Sequence, residues 1–155
     1  MLPYDYTEFA RTMRRYLAPV DRALATKGWR GSSAPLASAI DRMESAAQRF
    51  ASARDAALQS PLPRPRQVST NAALREVERA LTRPEGLRSR PWYRNLIYVA
   101  DVDNGYSTMV FPSVNEAIRY GNEGLFAQEM QDLVARFDAA TAALDRATSA
   151  VSGGR

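Results

Sequence analysis

Histidine and cysteine are both absent from the 155 residues of this chain. Their absence removes thiol nucleophiles, Ser-His and Cys-His catalysis, disulfides, haem ligation through either residue, and almost every kind of zinc site. Lysine is nearly missing as well, since Lys27 is the only one and every other basic residue is arginine. No apolar run approaches the roughly 20 residues needed to span a bilayer. The opening MLPYDYTEFARTMRRY has neither the basic start nor the apolar core of a secretory signal, and nothing in the residues themselves fixes a compartment. A carboxylate-only site for a hard cation is all that remains formally open. The chain alone is therefore expected to contribute no catalytic residue, no metal ligand set and no cofactor of its own.

What is present is a helix-former's composition. Apolar residues make up 45% of the chain, with alanine the most frequent, and this length suffices for one sizeable core. The formal charge of +4 raises a nucleic-acid reading. Its distribution favours structural ion pairs instead. The densest basic stretch, Arg79, Arg83, Arg88, Arg90 and Arg94, is interrupted by Pro84, Gly86 and Pro91, and elsewhere acidic neighbours accompany arginines, as Asp138 does Arg136 and Asp145 does Arg146. Asp101 and Asp103 suggest a calcium loop, but no twelve-residue ligand pattern follows them, so they are expected to cap or solvate a loop.

Helical periodicity predicts four helices, at about 5–27, 33–60, 69–82 and 123–151. The first carries Phe9, Met13, Tyr16, Leu17, Val20 and Leu24 on one stripe behind an Asp5 cap, with a kink expected at Pro19 and a stop at Gly28. The second places Leu36, Ile40, Met43, Ala47, Phe50 and Ala57 together and ends at PLPRPR, where alternating prolines imply extended geometry. Ser69 or Thr70 can cap the third, whose inward residues are Leu74, Val77 and Leu81. The last is the longest, roughly 43 Å at 1.5 Å per residue. Its seam is Phe126, Met130, Leu133, Phe137, Ala140, Leu144, Ala147 and Val151, and the SGGR tail beyond it is expected to fray. The methionine and phenylalanine stripes read as core rather than as a cofactor box. Residues 83–122 lack a strong helical period, and LIYV at 96–99 suits a short extended segment. The fold class is thus all-α: residues 1–155 form a single four-helix bundle with a long ordered loop, 83–122, before the last helix. A loop that long exceeds an ordinary bundle connection and is where function is expected to concentrate.

Within that stretch ERAL (78–81), RPWYRNLIY (90–98), NGY (104–106) and FPSVNEAI (111–118) resemble the transferrin-receptor-like dimerisation domain. This is the C-terminal helical domain of zinc metallopeptidases of the glutamate carboxypeptidase II type. The opening LPYDYTEFARTMRRY is similar to that domain's first helix, so the likeness runs in order along nearly the whole chain.

The resemblance implies a homodimerisation domain that follows a peptidase domain and whose long loop helps complete the substrate pocket. Two zinc ions and the general base would belong to that peptidase domain, not to this chain. It also implies an extracytoplasmic setting, secreted or periplasmic. In the family an Asn-Lys-Tyr triplet reaches the carboxylates of a C-terminal glutamate; the matching triplet here is Asn104, Gly105 and Tyr106. Tyr106 keeps the hydroxyl donor, whereas Gly105 lacks the point charge that favours an acidic side chain. Residue chemistry leaves alternatives beside these roles. Tyr106 can equally pack on its own scaffold, and Asn104-Gly105 suits a turn with positive φ. Trp92, Tyr93 and Tyr98 form either a docking patch for the peptidase domain or filling for the bundle end. A free-standing interaction module, receptor-like and without a peptidase, is the other functional class open to such a sequence.

Overall fold

The computed structural model describes residues 2–153, so Gly154 and Arg155 of the tail lie outside the described residues. Its elements in chain order are α1 (Tyr6–Arg15), α2 (Leu17–Lys27), α3 (Ala34–Ala57), α4 (Arg64–Ala80), β1 (Tyr98–Ala100), β2 (Thr108–Val110), α5 (Pro112–Arg119) and α6 (Glu123–Ser152). The fold is mainly helical, with one small antiparallel hairpin. Against α6 lie α3, α4 and α5, while α1 packs on α3. All eight residues of the expected α6 seam are buried, with Leu133, Phe137, Ala140, Leu144, Ala147 and Val151 fully so. Asn122 caps α6 by accepting from Leu125 N–H at 2.9 Å, and Gly153 ends it in a left-handed conformation.

Three boundaries differ from the sequence expectation. Instead of one kinked helix over 5–27 there are two, with the break at Tyr16, three residues ahead of Pro19. Pro19 lacks the N–H that would bond the Arg15 carbonyl, and its ring crowds that carbonyl. The Tyr16 amide turns back to Met13 O at 3.1 Å, and its side chain leaves the apolar stripe for solvent. Asp5 does cap α1, accepting from Glu8 N–H at 3.0 Å, and Gly28 closes α2 at φ 68°. The second helix stops at Ala57 rather than at residue 60. The third begins at Arg64, five residues early. Pro63 takes the cap position and Pro65 the first turn, where a missing amide breaks no bond. Ser69 consequently does not cap but bonds back to the carbonyls of Pro65 and Arg66.

The 83–122 stretch is ordered, but it is not all loop. The expected extended segment is β1, and it pairs with β2 in the register Tyr98↔Val110, Val99↔Met109, Ala100↔Thr108. The unexpected element is α5, whose Val114, Ala117 and Ile118 are buried. Between β2 and α5, Phe111 holds a left-handed φ of 47°, unusual for a bulky residue. Its ring is wholly buried edge-on to Phe137 at 6.4 Å, and its amide donates to Ile97 O at 2.8 Å, which together hold the strained backbone.

Arginines fasten the preceding segment to the helices. A Thr82↔Asn95 bridge closes it, and the amides of Arg83 and Leu87 donate to the carbonyls of Arg94 and Tyr93, both at 2.9 Å. Arg83 donates to Glu129 (2.7 Å) and Asp132 (3.3 Å) on α6, and Arg88 to the second Glu129 oxygen at 3.0 Å. Arg90 bonds Glu116 on α5 at 2.6 Å and the Ala100 carbonyl at 2.8 Å. The Glu129 side chain is only 2% exposed. The pairs expected from sequence neighbours are not those that form. Arg136 bonds Asp132 one turn back, while Asp138 and Asp145 reach across to Arg42 and Arg49 on α3.

Burial, not distance, ranks these pairs. Arg49–Asp145 and Arg83–Glu129 are equally short at 2.7 Å, but the first is half exposed on both sides. Asp145→Asn should lower unfolding free energy by at most about 1 kcal/mol. Glu129→Ala, which leaves Arg83 covered and short of its main partner, should cost about 3–5 kcal/mol. Urea titrations of both variants at neutral pH test this, and equal losses would contradict it. At Gly86, with φ 70°, a Cβ would lie 2.1 Å from the Pro91 carbonyl oxygen. Gly86→Ala should therefore destabilise by more than the roughly 1–2 kcal/mol of a left-handed alanine alone, as a shift in thermal midpoint would register.

Candidate substrate-facing loop and docking surface

The β1–β2 connection, residues 101–107, carries the predicted triplet. It closes through Asp101 N–H to Ser107 O at 2.9 Å and Ser107 N–H to Asn104 O at 3.0 Å. Asn104 and Gly105 do form the expected turn, but by another route. Gly105 is not among the glycines at positive φ; the turn rests on side-chain acceptors instead. Asp101 Oδ1 accepts from the amides of Asp103 (2.9 Å) and Asn104 (3.3 Å), and Asn104 Oδ1 accepts from Tyr106 N–H at 3.3 Å.

Tyr106 sits at the tip with its side chain fully exposed, so it does not pack on its own scaffold. Asn104 and Gly105 are exposed beside it, and a Cβ on Gly105 would meet nothing within 4 Å. Arg119, the last residue of α5, reaches the tip from outside. It donates to Asp101 Oδ1 at 3.0 Å, to Asp101 Oδ2 at 2.7 Å and to Asp103 Oδ2 at 2.6 Å. The bidentate guanidinium, helped by the two amides, holds the Asp101 carboxyl well below the usual carboxylate range, and Asp101 in turn raises the affinity of Arg119 for its proton. The two aspartates are thus occupied as loop caps rather than as a calcium site.

The aromatic trio separates. Trp92 is 78% exposed. Tyr93 is half-buried against the core, and its hydroxyl donates to the Tyr98 carbonyl at 3.0 Å. Tyr98 is exposed at the rim of a groove of about 570 Å³, lined also by Tyr4, Phe9, Leu81 and Ile97. A second hollow of about 540 Å³ shares Phe9 and Tyr98 and continues past Met13, Tyr16 and Val110. Sequence patterning did not assemble this trough, because its walls come from α1, the end of α4 and the hairpin. Beneath it the Tyr6 hydroxyl donates to Leu74 O at 3.0 Å, and burial pushes its pKa well above the ordinary tyrosine value.

The donor set does not fit a zinc ion. Histidine and cysteine are lacking, no group of three or more acidic side chains converges among the described residues, and the buried carboxylates Glu116 and Glu129 are committed to arginines. In the basic stretch Arg79, Arg83, Arg88 and Arg90 are all ion-paired. No helix among the described residues is long and apolar enough to cross a membrane.

The model of the transferrin receptor-like dimerisation domain matches residues 32–145. A probable glutamate carboxypeptidase of Arabidopsis thaliana is 28% identical over 118 residues, which cover 76% of this chain and 16% of the relative. A probable glutamate carboxypeptidase of Arthroderma benhamiae is 25% identical over 123 residues, covering 79% and 17% respectively. The chain therefore spans about a sixth of the length of these curated relatives. With a match across most of its length and a helical architecture of the expected kind, the chain belongs to the transferrin receptor-like dimerisation domain family.

Proposed function

We propose that this chain is the homodimerisation domain of a metallopeptidase akin to the glutamate carboxypeptidases, and that its hairpin tip completes the substrate pocket. The observation that carries the second part is Tyr106: a phenol wholly in solvent, on a turn braced by hydrogen bonds and by α5. A tyrosine so placed contributes nothing to its own core and is available to an external acceptor. Two zinc ions and the catalytic base would be supplied by a peptidase domain of the same protein, which Trp92 and the apolar trough beside Tyr98 would face. Exposed aromatics on a rigid frame suit such docking.

In this reading Tyr106 donates a hydrogen bond to a substrate carboxylate. Position 105 is glycine, and Arg119, the cation that reaches the tip among the described residues, is spent on Asp101 and Asp103. The preferred C-terminal residue is accordingly neutral rather than glutamate. Membership of a family whose model is named for a receptor also favours a second reading, a non-catalytic interaction module, and activity of the full-length protein separates the two.

Two measurements follow. The chain should self-associate at tens of micromolar, giving about twice its 17.2 kDa by light scattering after size exclusion; a clean monomer would show that this chain lacks a sufficient dimer face. A hydrogen bond to a charged acceptor contributes roughly 1.5–3 kcal/mol, or about 10- to 150-fold in affinity. In the full-length protein Tyr106→Phe should raise KM by that factor with kcat less affected, since binding shared by ground and transition states acts on KM. Gly105→Lys, which the open space at that position accommodates, should shift preference toward a C-terminal glutamate. Steady-state kinetics on peptides ending in Glu, Ala and Leu decide the matter. A wild-type KM for Tyr106→Phe on every active substrate would make the tip merely structural.

A further inference from the structure

We propose that Arg119 is a positioning residue that sets the substrate affinity of the tip by clamping the hairpin loop to α5, an inference that rests on the substrate-facing reading of Tyr106. Residues 101–107 project from a two-stranded hairpin only three residue pairs long, too short to hold a tip rigidly by itself. Among the described residues, the hydrogen bonds that reach this loop from outside it all come from one side chain, the Arg119 guanidinium. They converge on Asp101, whose Oδ1 also accepts the amides of Asp103 and Asn104 and so shapes the turn that presents Tyr106.

The other end of the clamp is fixed. Arg119 closes α5, whose opposite face is buried through Val114, Ala117 and Ile118 and which packs on α6. Glu116, one turn earlier, is bonded to Arg90 and Ser89. Tyr106 is thereby referred to the bundle through one continuous path: tip, Asp101, Arg119, α5, α6. The planar fork is the chemistry the path needs. It binds both Asp101 oxygens while a proton is left for Asp103, a geometry that a lysine ammonium cannot reproduce. Preorganising a binding group in this way raises affinity by lowering the cost of ordering it on binding.

The test is a double-mutant cycle in the full-length protein, with peptides ending in Glu, Ala and Leu as substrates. Arg119→Ala should raise KM several-fold with kcat nearly unchanged, Arg119→Lys should restore only part of the affinity, and Arg119→Ala should add little in a Tyr106→Phe background. Amide hydrogen exchange of residues 101–107 should quicken in Arg119→Ala while that of α6 stays as in wild type. Asp101→Asn, which keeps an acceptor for the two amides but loses the charged fork, should reproduce the kinetic effect should Arg119→Ala prove poorly folded. A raised KM for Tyr106→Phe beside a wild-type KM for Arg119→Ala overturns the clamp alone. Fully additive effects of the two substitutions overturn it as well. A wild-type KM for Tyr106→Phe overturns the reading of the tip, and the clamp's part in affinity with it.

Discussion

Glu129 is a carboxylate on the buried face of α6, 2% exposed, in a helix whose neighbouring seam positions are Phe126, Met130 and Leu133. An unpaired charge there would be penalised by several kcal/mol. The position is tolerable only while Arg83 and Arg88 occupy both of its oxygens, and those arginines belong to a segment with no helix or strand of its own. The electrostatics of one α6 side chain therefore join the buried Leu87 and the Thr82↔Asn95 bridge in fixing residues 82–95. Glu116 repeats the arrangement on α5, holding Arg90, which in turn donates to the end of β1. These two buried acids fix the arginines beside the hairpin and α5, while Leu96, Phe111, Val114 and Ala117 seat the same elements in the core.

That dependence gives several arginines of a chain with +4 net charge and one lysine a structural task. A guanidinium presents five donors in a plane, so it can satisfy a carboxylate and a backbone carbonyl at once, as Arg83 does with Glu129 and Gly86 O and as Arg90 does with Glu116 and Ala100 O. A lysine would meet the charge but not the geometry. Much of the basic composition is thereby structural, consumed by pairs both within the loop and between α3 and α6.

The long helices were readable from sequence because each buries a stripe over many turns. All eight seam positions of α6, and Leu36, Ile40, Met43, Ala47 and Phe50 of α3, lie where a 3.6 period puts them. The start of α4 lies earlier than periodicity places it, because prolines at 63 and 65 read as an interruption although both positions tolerate a missing amide at a helix start. At eight residues, α5 is shorter than the window over which periodicity can be judged, and it opens at a strained phenylalanine rather than at a capping residue. Glu116, Glu129 and Arg119 carried no local signal, since their partners are 16 to 46 residues away. The triplet Asn104, Gly105 and Tyr106 came from resemblance, and only the three-dimensional arrangement distinguishes an exposed Tyr106 from a packed one.

The two halves of the chain thus divide the physical work. The bundle is held by apolar seams that tolerate change at any single surface position, whereas the 82–119 region adds to its buried Leu87, Leu96 and Phe111 a few charged contacts whose partners sit on different elements. Hydrophobic burial is non-directional, and it can fix where a hairpin lies without fixing how its tip is aimed. Direction comes from the arginines: Arg90 donates one bond to the Ala100 carbonyl at the root of the hairpin, and the bidentate Arg119 holds Asp101 in its loop, two points along one projection. A loop anchored at two points holds the backbone of Tyr106 in place while its side chain stands in solvent. Were Tyr106 to meet an acceptor on another domain, as proposed, these charged anchors would fix where its backbone stands, which non-directional burial does not do.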